Sequence, residues 1–234
     1  FQKIDMENLD IKQLPELERY MLHRVYELNN NFKNYFKSYD FHNLYKELLN
    51  FCTVDLSSFY FDIRKDALYC DSKNSDRRKS SIVVLNIILE SLVKWFAPIL
   101  SFTTEEIFTL INKEQKSIHL EQFMKYPETF QDEELHEKWT ELKKIRDICN
   151  ISIEAKRASK EIGSSLEASL IINLNKTLFE ISKNVDFSEI CITSSALVHQ
   201  SNTDELIIET IKAEGNKCPV CWKINKVKCE RHSD

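Results

Sequence analysis

Helix-breaking residues are almost absent from this chain, which contains 2 Gly and 4 Pro among its 234 residues. Glycine and proline interrupt regular structure most often, whereas the abundant Leu, Ile, Lys and Glu residues favour helices. The chain is long enough for one large domain or for two to three small ones. We therefore predict a protein that is mainly α-helical.

Apolar periodicity places the first helices. A long amphipathic helix follows Pro15, and a second helix begins after Asp40, whose side chain suits the N-cap position. The stretch 50–71 has apolar residues on several sides, so we expect a central bundle helix that runs into a charged break at 62–66. The residues predicted to face inward in the second helix are Phe41, Leu44, Tyr45, Leu48 and Phe51.

Further helices are expected downstream, and together they predict an antiparallel bundle. After a polar turn at 71–79, the next helix is expected to bury one stripe, formed by Ile82, Leu85, Leu89, Leu92 and Phe96. A short helix should begin at a capping box with Thr103 as N-cap and Glu106 three residues later. A short extended piece at 118–120 precedes a long helix that starts near Asp132.

Beyond Leu166 the pattern changes to a small α/β module. Strands are predicted at 169–174, 189–193 and 206–211, with a helix at 176–184. We predict four segments: a lead-in at 1–14, a helical domain at 15–162, the α/β module at 163–211 and a terminal tail at 212–234.

The tail carries the strongest chemical motif of the sequence. Cys218 and Cys221 form a C-x2-C pair, and Cys229 with His232 forms C-x2-H. Thiolate and imidazole are the ligands that zinc prefers, and two such short pairs can converge on one tetrahedral ion. We predict one structural zinc ion, which would supply folding energy that a short tail cannot obtain from a hydrophobic core.

Net charge is −5, which argues against nucleic-acid binding unless basic residues cluster locally. The tail is such a region, with Lys223, Lys226, Lys228 and Arg231 beside Trp222. An aromatic ring can stack on an unpaired base while cations bind phosphates, although Trp222 could equally be a small core residue that covers the metal. Further candidate RNA contacts, for which an ordinary charged surface is the alternative, are Arg64, Lys65, Arg77, Arg78 and Arg157.

The sequence does not contain the motifs of several other classes of function. No Gly-rich phosphate loop and no set of Ser, His and Asp or paired carboxylates stands out, so we predict no catalytic residue. No apolar run approaches the ~20 residues that span a bilayer. The cysteines outside the tail lie in apolar contexts typical of reduced thiols, which predicts a cytoplasmic protein. The chain begins at Phe1 rather than Met, and we expect a piece of a longer protein.

Several segments, taken in order, give the chain a family resemblance. They are P-E-L-E-R-Y-M-L-H-R at 15–24, Y-D-F-H at 39–42, the stretch 50–71, F-A-P-I-L-S-F-T-T-E-E-I-F at 96–108, S-I-H-L-E-Q-F at 117–123, I-G-S-S-L-E-A at 162–168 and the cysteine cluster. Together they resemble the anticodon-binding helical domain of class I aminoacyl-tRNA synthetases, and within that family the bacterial isoleucyl type. Two departures concern the tail: His232 stands where the family usually has a fourth Cys, and Val220 where it often has Arg.

The resemblance implies a fold and a function. The fold would be an antiparallel helical bundle of the class I synthetase anticodon-binding type, followed by a small α/β module and a zinc knuckle. The chain would be a monomer that binds the anticodon stem-loop of an isoleucine tRNA, with no DNA or membrane partner. Aminoacylation, with its ATP and Mg²⁺, would belong to a catalytic domain outside this chain. The alternatives are a valyl-, leucyl- or methionyl-type relative, or a non-catalytic, zinc-tailed helical scaffold that binds protein.

Overall fold

The computed structural model describes residues 4–112, 117–203 and 205–232, apart from the side chain of Glu230. Within these residues the chain forms two compact units. The first unit contains 4–68 and 72–136, and the second contains 69–71 and 137–232. The fold class is the predicted one, mainly α with a small sheet region toward the C-terminus. The predicted four-segment division stays a prediction, because compact packing does not show which segments fold independently.

Helices form most of the described chain. The α-helices are α1 Glu16–Ser38, α2 Phe41–Asn50, α3 Asp62–Cys70, α4 Asp76–Phe96, α5 Ser101–Ile111, α6 Glu133–Ala158, α7 Lys176–Ser182 and α8 Phe187–Ile190, with a π-helix at Phe51–Phe61. Short 3-10 turns lie at Ile11–Gln13, Ile118–Leu120, Glu128–Phe130, Ser165–Glu167 and Glu230–His232. The extended piece expected at 118–120 was therefore wrong, because these residues turn.

A π-helix joins α2 to α3, so helical backbone runs without interruption from Phe41 to Cys70. The charged break predicted at 62–66 was wrong, because these residues continue the helix. Such wide helical turns are rare and usually short. Within the π-helix Asp55 is buried and pairs with Arg24 of α1 at 3.2 Å. The polarity of Asp55 therefore marks a buried ion pair and not an outward face.

The core of the first unit contains a buried ionic network. Glu18 of α1 is 0% exposed, and Arg64 of α3 is 2% exposed. The Arg64 Nε and Nη2 atoms each donate to a different oxygen of the Glu18 carboxylate at 2.6 Å. The hydroxyls of Tyr60 and Ser81 each donate to Glu18 Oε1 at 3.1 Å. Three helical segments and α1 are thus joined through one carboxylate.

The buried stripe of α4 differs from the predicted one. Ile82 is 42% exposed, and the other four predicted residues are half-buried. The buried residues of this helix include Val84, Ile87, Ile88, Ser91 and Trp95. The stripe contains serines whose hydroxyls bond within the structure, as the Ser91 hydroxyl does to the Ile87 carbonyl at 2.6 Å. Hydroxyls inside the buried face made it look polar in the sequence.

Helix starts were predicted with mixed success. Asp40 caps α2 as expected, because its side chain accepts from the Asn43 amide at 3.2 Å. The capping box at Thr103 was wrong, since α5 begins at Ser101 and no side chain caps it. Two residues expected to face inward in α2, Phe41 and Tyr45, are 52% and 55% exposed. The polar turn predicted at 71–79 ends at Ser75, the N-cap of α4.

The second unit contains most of α6, the short helices α7 and α8, a three-stranded sheet and the tail. Strand β1 Ala168–Leu174 is central, with β2 Ser195–Gln200 parallel on one side and β3 Ile207–Lys212 antiparallel on the other. The strand predicted at 189–193 was wrong, because α8 ends inside it at Ile190 and a turn follows. The Asp186 side chain accepts from the Ser188 amide at 2.8 Å and so starts α8. No helix among the described residues combines the length and apolar character needed to cross a bilayer.

Candidate metal centre and its surroundings

A two-stranded ribbon begins the tail. Strands β4 Asn216–Lys217 and β5 Ile224–Asn225 pair antiparallel, with Asn216 opposite Asn225. Gly215, with φ 131°, enters the ribbon where an added Cβ would lie 2.2 Å from the Asn225 carbonyl oxygen. Only glycine fits this backbone and this close approach. The ribbon therefore depends on one of the two glycines in the chain.

The chain between the two short strands makes the turn that holds the first ligand pair. The Cys218 amide donates to the Lys223 carbonyl at 2.9 Å, and the Trp222 amide donates to the Cys218 carbonyl at 3.0 Å. Trp222 has φ 65°, in the left-handed region that side chains other than Asn, Asp and Gly rarely adopt. Cys218 and Cys221 are both buried in this turn.

The four predicted ligands converge on one point. The ligand atoms of Cys218, Cys221, Cys229 and His232 all lie within 4.8 Å of one another. His232 Nδ1 lies 3.5 Å from Cys218 Sγ and 3.4 Å from Cys229 Sγ. The sulfurs of Cys221 and Cys229 are 3.9 Å apart. A tetrahedral ion with metal–sulfur bonds of about 2.3 Å and a metal–nitrogen bond of about 2.05 Å requires ligand separations of about 3.8 and about 3.5 Å. The cluster therefore fits a metal ion.

The pKa values of two cysteines in the cluster are shifted in opposite directions. Burial acts to raise the pKa of Cys218, but hydrogen bonds from the backbone amides of Cys221 and Val220 outweigh it and lower the pKa to about 6. Burial, together with the neighbouring thiols, raises the pKa of Cys221 to about 11. Since metals bind the thiolate, loading the cluster must displace the Cys221 proton, and metal affinity should rise with pH.

Cys70, the last residue of α3, and Asp71, which follows it, contact this cluster within the second unit. Cys70 provides a carbonyl oxygen 2.8 Å from His232 Nε2. Asp71 forms an ion pair with Arg231. The Cys70 thiol donates to the Val220 carbonyl at 3.7 Å. No pattern in the sequence indicated these contacts, because they join residues 150 to 162 positions apart.

Trp222 is exposed beside the cluster. Its side chain is 59% exposed, so it is not the core residue that the sequence left as an alternative. Lys217 Nζ lies 5.4 Å from the centre of the Trp222 ring, within the range of a cation–π contact. Lys217 belongs to the basic tail but was not among the predicted contacts. An exposed ring with an adjacent cation can receive a nucleobase and its phosphate.

The other predicted cations of the tail differ in their exposure and in their partners. Lys223 Nζ donates to Ser188 Oγ at 3.2 Å, and Lys226 pairs with Glu214 at 3.0 Å on an exposed surface. Lys228 is exposed, and Arg231 pairs with Asp71. Exposed ion pairs contribute little energy, so Lys226 can exchange the Glu214 carboxylate for a phosphate.

Arg64 is the clearest correction among the predicted RNA contacts. Its guanidinium is buried against Glu18, where a phosphate has no access, and we remove it from the set. Lys65 is exposed and pairs with Asp62 at 3.0 Å, within the same helix. Of the remaining three, Arg77 pairs with Asp66 at 3.4 Å, and Arg157 pairs with Glu154 at 2.6 Å. Arg78 is half-buried in the first turn of α4.

A second group of potential ligands lies in the first unit, where the ligand atoms of His23, Glu27 and His136 are within 4.8 Å of one another. His23 Nδ1 accepts a hydrogen bond from the Asp132 amide at 2.9 Å, so the proton of the neutral ring is on Nε2. Burial lowers the pKa of His23, which keeps the ring neutral. Glu27 also pairs with Arg24. Neither nitrogen of His23 then offers a free lone pair, and we assign no metal site there.

Comparisons with known proteins identify the family of this chain. The sequence model of the family described as anticodon-binding domain of tRNA ligase matches residues 18–172. A protein named isoleucine–tRNA ligase from Pelagibacter ubique (strain HTCC1062) is 97% identical over 234 residues, which are 100% of this chain and 26% of that protein. Isoleucine–tRNA ligases from Bartonella quintana and Bartonella henselae are 39% and 40% identical over 228 residues, which are 93% of this chain and 24% of each protein. The chain thus spans about a quarter of the length of the curated relatives it matches.

Proposed function

Because this chain belongs to the family of anticodon-binding domains of tRNA ligases, we propose that it binds the anticodon stem-loop of an isoleucine tRNA. The observation that carries the proposal is the 97% identity, over the whole chain, to a protein named isoleucine–tRNA ligase. The other relatives named above carry the same name, which favours the isoleucyl type over a valyl, leucyl or methionyl type. The longer protein would attach isoleucine to its tRNA in the cytoplasm, using ATP and Mg²⁺ in a catalytic domain outside this chain, and it would act as a monomer.

The contribution of this chain to that reaction is positional. Holding the anticodon end of a rigid tRNA restricts where the acceptor end can lie, so binding energy is converted into orientation at a distant reaction centre. Trp222 supports this role, because its ring is exposed and lies beside Lys217. An unpaired loop base would stack on the ring, while Lys223, Lys226 and Lys228 would contact phosphates.

The metal proposed for the cluster is zinc. Three thiolates and one imidazole, at the separations measured above, are a donor set that zinc prefers over Mg²⁺ or Ca²⁺, which take oxygen ligands. Cys218, Cys221, Cys229 and His232 would hold the ion, and its bonds would fix the turn that presents Trp222. The ion would supply folding energy and no reactive step.

Metal content tests the zinc proposal. We expect Cys221→Ser to lose the metal measured by elemental analysis and to lose binding to isoleucine tRNA, while far-UV circular dichroism retains the helical signal of the bundle. Cys52→Ser is the matched control, since Cys52 lies on the π-helix and outside the cluster. An unchanged metal content in Cys221→Ser would count against the proposed ligands.

The salt dependence of binding separates RNA recognition from the alternative of a protein-binding scaffold. Fluorescence anisotropy of a labelled isoleucine tRNA should show affinity that falls steeply with salt, because phosphate contacts release counterions. Trp222→Ala should weaken binding by about 1–3 kcal/mol. The control is Phe102→Ala, which removes a ring that is 94% exposed in the first unit. Absence of saturable binding at low salt would sink the RNA proposal.

A further inference from the structure

We propose that the Cys70 carbonyl and the Asp71 carboxylate position the metal ligands, so that the end of α3 and the residue after it belong to the metal centre. This inference rests on the metal site proposed above. It adds residues that neither the cysteine motif nor the family match assigns to the site. Cys70 and Asp71 act through the ligands and do not touch the ion themselves.

The Cys70 carbonyl determines which nitrogen of His232 carries the proton. Its Nε2 lies 2.8 Å from the Cys70 carbonyl oxygen, and a carbonyl oxygen only accepts hydrogen bonds. A neutral imidazole has one N–H and one lone pair, so Nε2 carries the proton and Nδ1 carries the lone pair. Nδ1 is the nitrogen that lies near Cys218 Sγ and Cys229 Sγ. The Cys70 carbonyl thus selects the tautomer that can bind a metal at Nδ1.

The residue before this ligand is also restrained. Arg231 pairs with Asp71, whose side chain is 8% exposed, while the side chain of Arg231 is 32% exposed. Burial strengthens an ion pair relative to one in water, and a charge-assisted bond to guanidinium has a defined geometry. The pair therefore restrains the 3-10 turn Glu230–His232, and with it the backbone that carries the fourth ligand.

Cys70 also contacts the turn that carries the other ligand pair, Cys218 and Cys221. The Cys70 thiol donates to the carbonyl of Val220, which lies inside the turn from Cys218 to Cys221. Cys70 is not one of the four clustered ligands. Residues 70 and 71 consequently contact the ligand His232, its neighbour Arg231 and the turn between Cys218 and Cys221. Partners that orient metal ligands in this way typically change metal affinity by about 10- to 100-fold when removed.

The test measures metal affinity in Asp71 variants of the full chain. The chain is loaded with Zn²⁺ alone and titrated against a chromogenic chelator, and no RNA is present. We expect Asp71→Asn to raise the zinc dissociation constant by about 10-fold or more. Asp71→Glu, which retains the charge, should recover most of the affinity. Glu180→Gln is the matched control, because it removes the carboxylate of the exposed pair with Lys183 in the same unit.

A spectroscopic measurement tests the tautomer separately from stability. Nitrogen-15 NMR of the zinc-loaded wild-type chain should show His232 metallated at Nδ1 and protonated at Nε2, with that proton protected from solvent exchange. In Asp71→Asn the exchange of the Nε2 proton should accelerate while far-UV circular dichroism stays unchanged. Metallation at Nε2 in the wild-type chain would overturn the role of Cys70.

The outcomes distinguish this inference from the function on which it rests. A wild-type chain that takes up no zinc overturns both the metal site and this inference. A wild-type chain that holds zinc no more tightly than Asp71→Asn overturns this inference alone, and the metal site stands. Unfolding of Asp71→Asn is recognised by circular dichroism, and in that case Arg231→Gln, which removes the other partner, must show the same loss of zinc affinity.

Discussion

Replacing Arg64 with methionine should strongly destabilise the first unit while leaving RNA recognition intact. Methionine keeps much of the side-chain volume of arginine but removes the cation that balances Glu18. The Glu18 carboxylate is 0% exposed, and it would keep only the hydroxyl donors of Tyr60 and Ser81. A buried charge without its counter-charge is a severe defect in a low-dielectric core.

The expected loss of stability follows from the bonds removed. Two charge-assisted hydrogen bonds of 2.6 Å disappear in Arg64→Met. Each such bond contributes about 1.5–3 kcal/mol, so the sum is about 3–6 kcal/mol. Breaking one partner of a buried ion pair typically costs about 3–5 kcal/mol, which agrees. Because domains are stable by only about 5–15 kcal/mol, the variant should lose a large share of its free energy of unfolding.

Urea unfolding followed by far-UV circular dichroism measures this loss. Lys65→Met is the control, since the Lys65 side chain is 61% exposed and its removal should change stability by less than about 0.5 kcal/mol. The double variant Glu18→Leu with Arg64→Met should recover much of the loss, because an apolar pair leaves no unbalanced charge. A loss below about 1 kcal/mol in Arg64→Met would refute the reasoning. Weaker tRNA binding by the double variant, if its stability equals that of the wild-type chain, would also refute the reasoning.

Three further predictions concern single side chains elsewhere. Gly215→Ala should destabilise the tail by more than about 1 kcal/mol and reduce its metal content in elemental analysis, because the added Cβ meets the Asn225 backbone. Burial lowers the pKa of His23, so the unfolded chain binds more protons than the folded chain below a pH of about 6.5. Stability should therefore fall as the pH drops below that value. The variant His23→Gln can still accept the hydrogen bond from the Asp132 amide. In urea titrations at about pH 7.5 and about pH 5.5, the free energy of unfolding of this variant should change less than that of the wild-type chain. Asn29→Ala should cost about 2–4 kcal/mol in urea unfolding, because it leaves a buried indole N–H and a buried carbonyl without their partner.

The features that the sequence predicted well are local ones. Helix α1 buries the apolar residues whose spacing of three and four predicted it, and Asp40 caps α2 through a contact three residues away. The ligand set of the tail was also readable, because two short C-x2 pairs specify their own local turns. In each case the interaction that decides the structure lies within a few positions of the residue concerned.

The features that the sequence did not predict depend on distant partners. Arg64 looked like a surface cation, but it is buried in an ion pair with Glu18, 46 residues away. The apolar run at 189–193 suggested a strand, but the cap supplied by Asp186 starts a helix there, and the strand that pairs with β1 lies further on. Polarity in a sequence does not distinguish a solvated group from one with a buried partner.

The left-handed backbone of Trp222 has a consequence for protein engineering. A bulky residue at φ 65° is disfavoured by about 1–2 kcal/mol, and glycine would relieve that strain. Selection for folding stability alone would therefore favour glycine at position 222. The metal-binding tail would then be more stable but would lack the indole ring of Trp222. Thermostability and RNA recognition oppose each other at this position, so screens for more stable variants of this chain need to keep Trp222 unchanged.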